Sequence, residues 1–414
     1  MVDQKLSILI NAYACSPNMG SEPGMAWNWC THLAKHCELH IITEGEFREN
    51  IETVLPTLPQ GKNMHFYYNP VPEKIRNMCW NQGDWRFYKY YKKWQYKTYE
   101  IGLDIIQNTP IDIVHQLNMI GFREPGYLWK IQHKPFVWGP IGGLKQFPVK
   151  YLAGAGIKMQ LFNRLKNVVN IWQLKYDRRV NQALRKAKLL ISAAPDSYAA
   201  LNTHKHIETV RIPETGCFPF DEIADKQYDL TDFHIIWVGK FDFRKQLPLA
   251  LKAIQKTGNK NMILDVYGSG NKKQEQEINS LRKKLGLEEQ VIFHHNKPHS
   301  IVQNAMRKSQ LLLFTSVNDD TSTVVLEAIG NKLPVLCFDA FGFGAVVSEK
   351  VGIKIPLSEP KKSVIHFSEQ INYLYNNRDV LQELSQNCIE QQKKLSWDAK
   401  AVKMVELYKN ILNQ

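Results

Sequence analysis

Two carboxylates eight residues apart, Asp319 and Glu327, bracket the hydroxyl run Thr321-Ser322-Thr323 in the stretch NDDTSTVVLEAIGNKLPVLCFD. Two lysines five residues apart, Lys240 and Lys245, stand in WVGKFDFRKQ. Lysine meets phosphate as a point charge, and the free amides at a helix start add partial positive charge. Cations and amides around a pyrophosphate, with an acid on either side, suit a ligand with a hydroxylated ring at each end, as in a nucleotide sugar. The opposing account is ordinary surface chemistry: Asp319 caps a helix, Glu327 is a solvated helix residue, and the lysines are loop residues in water. The stretch 309–344 taken alone favours neither.

The elements that must hold these groups follow from the hydrophobic pattern. Residues 311–314 are a short apolar run with polar flanks, as in a fully buried strand. A polar loop over 315–321 leads into a helix over 322–329, with Thr321 or Ser322 as N-cap. Gly330-Asn331 stops it, and 334–338 starts the next strand. Ligands of open α/β sheets sit at the carboxyl ends of strands. Helical side chains lean toward the N-terminus, so Glu327 in the second turn reaches back to a ligand bound there. Strands at 233–238, 262–267 and 291–294 come earlier; the first ends in Gly239-Lys240 and the second in Gly268-Ser269-Gly270. A helix over 247–254 follows Lys245.

The first half repeats the alternation. Strands are expected at 7–12, 38–43, 64–68, 111–115, 135–138, 188–194 and 209–213, with helices over 24–35 and 150–187. Gly20 and Gly24 open the first strand-to-helix turn, where backbone can approach a phosphate or a sugar. Steric need explains glycine there equally well, and no G-x-G-x-x-G dinucleotide fingerprint is present. His115 ends one strand and Gly142-Gly143 closes another, outlining one edge of a sheet. Trp80, Trp85, Tyr88, Tyr91, Trp94 and Tyr99 recur at helical spacing among lysines and arginines. A core-facing stripe with solvated lysines opposite is the favoured account. An interfacial membrane helix and a stacking surface for single-stranded nucleic acid are the alternatives.

At 414 residues the chain exceeds one ordinary core, so two domains are expected. No apolar run reaches the roughly 18 residues of a spanning helix. The charged start MVDQKLSILINAY is not a secretory signal. Seven scattered cysteines without C-x-x-C fit a reducing compartment. His36, Cys37 and His40 lack partners at metal-ligand spacing, as do His294, His295 and His299, so no metal is expected. A net charge of +13 and a pI near 9.2 favour anionic partners without choosing among nucleotide, acidic glycan, lipid and nucleic acid.

Six motifs, in order, resemble those of the family 4 glycosyltransferases, retaining enzymes of the GT-B fold. They lie at 14–29, 114–125 and 135–143 in the first half and at 237–246, 266–270 and 318–339 in the second. The resemblance covers nearly the whole chain. It implies an α/β protein of GT-B type, with two Rossmann-like domains facing across a cleft. The expected divisions are an acceptor domain over 1–213, a linker over 214–231, a nucleotide-sugar domain over 232–390, and a helix over 391–414 packing back on the first domain. Glu327 matches the second acid of the family's E-(any seven)-E motif and would hold the nucleotide ribose. Asp319 stands at the first acid and would contact the donor sugar's hydroxyls. Lys240, usually Arg, and Lys245 would bind the diphosphate; Gly20, Gly239, Gly268, Thr321, Ser322 and Thr323 would line the donor. His115 lies near the family's active-site histidine, although that motif's second histidine is Leu117 here. Glu22, Asn118, Arg123 and Gly142 would face the acceptor.

Three departures stand out. Asp for Glu at 319 shortens the reach, hydroxyl residues replace glycines at 321–323, and Lys240 lacks arginine's bidentate fork. None removes charge, so an active enzyme is expected. The resemblance implies a retaining, metal-independent glycosyltransferase taking a UDP- or GDP-linked sugar to a glycan or lipid-linked hydroxyl in cell-surface polysaccharide synthesis. It would act in the cytoplasm or peripherally at the inner face of the plasma membrane, without nucleic acid. The alternatives are a basic nucleic-acid-binding protein and a catalytically inactive homologue that binds sugar nucleotides. Donor, acceptor, linkage and oligomeric state are not legible in one chain.

Overall fold

The computed structural model describes residues 5–81, 84–218, 226, 228 and 232–413; most of the expected linker (219–225, 227 and 229–231) lies outside them. The chain divides into two units. Met1–Leu144, Val169–Glu214 and Trp397–Gln414 form the first, and Lys145–Val168 and Thr215–Ser396 the second. A single boundary at 213 does not describe this division, because Lys145–Val168 groups with the later residues.

Short runs of Ile, Leu and Val build the first unit's sheet: β1 Ser7–Ala12, β2 Glu38–Thr43, β3 Met64–Tyr68, β4 Ile113–Asn118, β5 Phe136–Ile141, β6 Ala187–Ser192 and β7 Val210–Arg211. Their order is β3-β2-β1-β4-β5-β6-β7, and all neighbours run parallel. β4 and β5 are buried along their whole length, as strands covered on both faces must be. The helix Ser21–Leu33 starts earlier than expected, since Pro23 is tolerated in a first turn that needs no N–H. Gly24 has a steric reason: a Cβ there would lie 1.8 Å from the Met19 carbonyl oxygen. Gly20 has none. Its φ is −88° and a Cβ would meet nothing within 4 Å.

The aromatic stretch divides between core and surface. Phe87, Tyr91 and Trp94 lie on the helix Phe87–Asn108 and set edge-on contacts to Tyr13 at 5.8, 5.0 and 4.8 Å. Trp94 Nε1 donates to the Asn69 carbonyl at 2.6 Å. Trp80, Trp85 and Tyr88 are exposed, so the core-facing stripe accounts for only part of the pattern. The helix Trp397–Leu412 completes the first unit, with Trp397 edge-on to Trp29 at 5.8 Å.

The second unit holds β8 Phe233–Val238, β9 Met262–Tyr267, β10 Val291–His295, β11 Leu311–Phe314, β12 Val335–Phe338 and β13 Gly352–Ile355, in the order β10-β9-β8-β11-β12-β13. All pair in parallel. β13 is absent from the sequence reading, because a four-residue strand opening on glycine carries little pattern. Glycine is required there: a Cβ on Gly352 would sit 2.1 Å from the Val335 carbonyl oxygen. The strand order reverses between β8 and β11, and in open α/β sheets that crevice receives ligands. The loops after these two strands carry Lys240, Lys245 and Asp319.

Beside them, backbones meet without side chains between. Gly268 has φ +125°, and a Cβ on it would lie 1.9 Å from the Gly239 carbonyl oxygen. Gly268→Ala is therefore expected to destabilise the protein by more than ~1 kcal/mol, and Gly20→Ala to stay within about 0.5 kcal/mol of wild type. Thermal unfolding of the two variants checks this; equal losses would overturn the distinction between them.

Candidate functional site

The loop after β8 is shaped by its own polar groups. Asp242 accepts the Lys245 amide at 3.2 Å and the Arg244 Nε at 3.1 Å, tightening the turn Phe243–Lys245. The loop after β11 is laced to it: Thr315 Oγ1 donates to the Lys245 carbonyl at 2.8 Å, and the Val317 amide to the Arg244 carbonyl at 2.8 Å. The two loops thus hold each other, and their side chains converge.

Asp319 is where they converge. Arg244 Nη1 donates to its Oδ1 at 3.0 Å, and Lys245 Nζ pairs with its Oδ2. Both Lys245 and Asp319 are largely buried, while Arg244 is the more open of the three. Burial pushes the Asp319 carboxyl up, but the adjacent charges of Lys245 and Arg244 outweigh it and hold the group below the usual carboxylate range. Lys145 pairs with the neighbouring Asp320 at 2.5 Å. The expected convergence of Lys240 with Lys245 is replaced by that of Arg244 with Lys245: Lys240 stands exposed and joins no ion pair among the described residues. Arg244 was passed over in the sequence. Its signal was its place beside Lys245, two residues after the acid that caps the turn.

Ser322 precedes the helix Thr323–Gly330 with φ 64° and ψ 115° and offers no side-chain cap, contrary to the expected capping role. Left-handed backbone is costly for serine and free for glycine, so the hydroxyl run 321–323 fills a turn built for a smaller residue. Thr321 is buried, Ser322 half-buried and Thr323 exposed. Gly342 brings another backbone against this turn, since a Cβ there would lie 2.7 Å from the Thr321 nitrogen. The helix buries Val325, Leu326, Ala328 and Ile329 and leaves its first amides without intrahelical partners. Glu327 leaves the opposite face, and its Oε1 meets His299 Nε2 at 3.3 Å. That hydrogen bond raises the His299 pKa, against a smaller opposing effect of burial. His299, read in the sequence as part of a basic loop, is the group Glu327 touches.

Gly239 and Gly268 make the backbone contact described above, with the Gly239 amide on the Tyr267 carbonyl at 3.0 Å and the Gly268 amide on the His295 carbonyl at 3.0 Å. Among the described residues no hydrogen bond or ion pair joins the Arg244–Lys245–Asp319 group to the Glu327–His299 pair. Nor do three or more His, Cys, Asp or Glu side chains gather there as a metal site.

The first unit uses several of its candidate residues internally. His115 is fully buried on β4; its Nδ1 meets the Tyr408 hydroxyl at 2.5 Å and its Nε2 the Gly139 carbonyl at 2.7 Å. Burial pushes its pKa down to about 4. With both nitrogens engaged it tethers the C-terminal helix, which departs from the expected active-site role. Asn118 is buried, bonding the Ala14 carbonyl at 2.7 Å and the Glu22 carbonyl at 3.2 Å. Glu22 Oε1 accepts the Ile120 amide at 3.3 Å. The Gly142 amide donates to the Ile120 carbonyl at 2.7 Å. Arg123 is half-buried; its Nε donates to Gln173 at 2.6 Å, and its guanidinium lies 4.7 Å from the centre of the Phe122 ring. Asn118 and Gly142 are thus framework, a departure from their acceptor-facing assignment. Gly20 keeps open space over the start of its helix.

Comparison with known proteins places this geometry. Residues 220–395 match the family described as glycosyl transferases group 1. No curated protein sequence matches the chain. Among solved structures, sucrose-phosphate synthase from Thermosynechococcus elongatus aligns over 99% of this chain and 100% of its own, at 15% identity and a TM-score of 0.65. Alr3699/HepE of Anabaena, solved with UDP, aligns over 98% and 100% at 14% identity and 0.63. WaaG, a glycosyltransferase involved in lipopolysaccharide biosynthesis, aligns over 97% and 99% at 17% identity and 0.57. The chain shares the fold of these proteins.

Ser322→Gly is expected to raise stability by up to about 1 kcal/mol by relieving the left-handed serine. Chemical denaturation reads this directly, and a loss of stability would remove the strain argument.

Proposed function

We propose a retaining transfer of a sugar from UDP to a hydroxyl of a glycan or lipid-linked acceptor, from the premise that residues 220–395 match the glycosyl transferases group 1 family and the chain shares the GT-B fold. The observation that carries the reading is Asp319, held by Arg244 and Lys245 at the second unit's switch point. Asp242 on Arg244 balances the second cation, so the cluster is neutral as it stands and a diphosphate exchanges with its carboxylates. A diphosphate can take both cations, gain the amides at Thr323 and Val324, and free Asp319 to accept hydrogen bonds from the sugar. Exposed Lys240 supplies further charge.

Glu327 then exchanges His299 for the ribose hydroxyls. In the transfer, the bond from the anomeric carbon to the phosphate oxygen breaks and a bond to the acceptor oxygen forms on the same face. The acceptor's proton passes to the departing diphosphate. Arg244, Lys245 and the helix start stabilise charge as it develops on that leaving group, which is where preorganised dipoles and cations lower a barrier most. The UDP and UDP-glucose complexes of the Anabaena protein support UDP as the carrier. The involvement of WaaG in lipopolysaccharide biosynthesis supports a surface-glycan acceptor, reached from the inner face of a membrane. No helix among the described residues is long and apolar enough to cross one.

A melting screen with UDP, GDP and ADP tests the carrier. UDP is expected to give the largest shift, through binding to the folded state alone. Glu327→Ala should abolish that shift and keep the apo melting temperature, and an unchanged shift would refute the ribose role. Asp319→Asn should lower turnover more than UDP affinity; the reverse ranking would reassign the two acids. A chain that binds UDP yet turns over no acceptor would favour the inactive homologue.

The His299 pairing makes UDP binding depend on pH. Its raised pKa means that the ion pair with Glu327 is complete below the unfolded histidine's value and is lost as pH rises through the folded value. The ribose therefore competes better at higher pH. UDP affinity is expected to rise about two- to fivefold from pH 6 to pH 8, the scale of an exposed ion pair. In His299→Asn the rise should vanish. Isothermal titration at both pH values decides it, and an affinity that falls with pH would overturn the competition.

A further inference from the structure

The helix Ile157–Tyr176 is built inside out. Ile157, Leu161, Leu165, Val168, Trp172 and Tyr176 are each at least 60% exposed. Their spacing of four, four, three, four and four residues places them along one face. At about 1.5 Å per residue the stripe runs for roughly 28 Å. Phe162 and Met159, also exposed, widen it at one end.

The face turned inward is the polar one. Asn167 binds Phe147 through both the amide and the carbonyl, at 3.0 Å each. Asn170 is buried, its side-chain amide without a hydrogen-bond partner among the described residues. Leu174 is the one fully buried leucine of the helix. An ordinary surface helix has the reverse polarity, with its apolar stripe on the core. A contiguous apolar patch of this length on a soluble surface marks an interaction site.

Charge selects the partner. Residues 157–176 hold Lys158, Arg164, Lys166 and Lys175 and no acidic residue. A second copy of the chain would bring four positive charges against four. An anionic bilayer meets both features at once: acyl chains accept the apolar stripe, and headgroups neutralise the cations. Trp172 and Tyr176 are the aromatic types favoured at a membrane–water boundary. We propose that the helix Ile157–Tyr176 lies in the interface of an anionic phospholipid bilayer and docks the protein there. The proposal does not rest on the transfer reaction. It also assigns membrane contact to a different element from the aromatic stretch at 80–99, whose Tyr91 and Trp94 are spent in the core.

The test is sedimentation of the full chain with vesicles of phosphatidylcholine alone and of phosphatidylcholine with phosphatidylglycerol. The wild type is expected to pellet with the anionic vesicles and stay in solution with the neutral ones. Leu165→Asp with Trp172→Asp should weaken that binding by at least about tenfold, the loss expected for two buried apolar side chains. Lys158→Glu with Arg164→Glu should remove the preference for anionic lipid. All four positions are exposed, and an unchanged UDP-induced melting shift in the variants separates a failure of docking from a failure of the nucleotide site. Equal pelleting of Leu165→Asp/Trp172→Asp and wild type would overturn the proposal. So would a wild-type dimer in sedimentation velocity that the same variant dissolves, with no vesicle binding, since the stripe would then be a self-interface.

Discussion

One carboxylate shared by two cations organises the second unit's functional end. Asp319 comes from the loop after β11, and Arg244 and Lys245 from the loop after β8. Burying any of the three alone would cost several kcal/mol, because each would lose its water without gaining a partner. Together they are tolerable, and the main-chain bonds from Thr315 and Val317 hold the geometry. The pairing is also exchangeable. With Asp242 also on Arg244 the charges balance, and an incoming anion competes with both carboxylates for cations already in place.

Glycine supplies the complementary constraint. Gly239 against Gly268, and Gly342 against the 320–321 turn, let backbones approach where any Cβ would collide. The strand ends of the second unit therefore present amides and carbonyls at close quarters, with few side chains between. The first unit spends its polar residues differently. His115, Asn118 and Gly142 satisfy buried backbone or helix groups, which makes them framework.

The helix Ile157–Tyr176 follows the same accounting at the surface. Its Asn167 satisfies the Phe147 amide and carbonyl on the protein side, while its apolar residues face outward. The aromatic stretch at 80–99 is the contrasting case: rings at helical spacing were partly drawn into the core around Tyr13.

The hydrophobic runs by themselves determined the α/β class and nearly every strand, because a strand covered on both faces must be a short apolar run ending in polar residues. Asp319, Glu327 and Lys245 stand out as candidates by their place at a strand end or in a helix's first turns, and the structure brings Asp319 and Lys245 together. What the chain could not show is which groups meet. Arg244 in place of Lys240, His299 on Glu327, and the sealing of His115 between Tyr408 and Gly139 depend on groups brought together across 24 to 293 residues. β13 and the inverted helix escaped for the opposite cause. Gly352 and Lys354 break up β13's apolar run, which the equally short β11 and β12 keep, and amphipathicity tells that a helix has two faces without telling which one the protein keeps. Tertiary packing made that choice, by placing backbone groups that needed Asn167 on one side only.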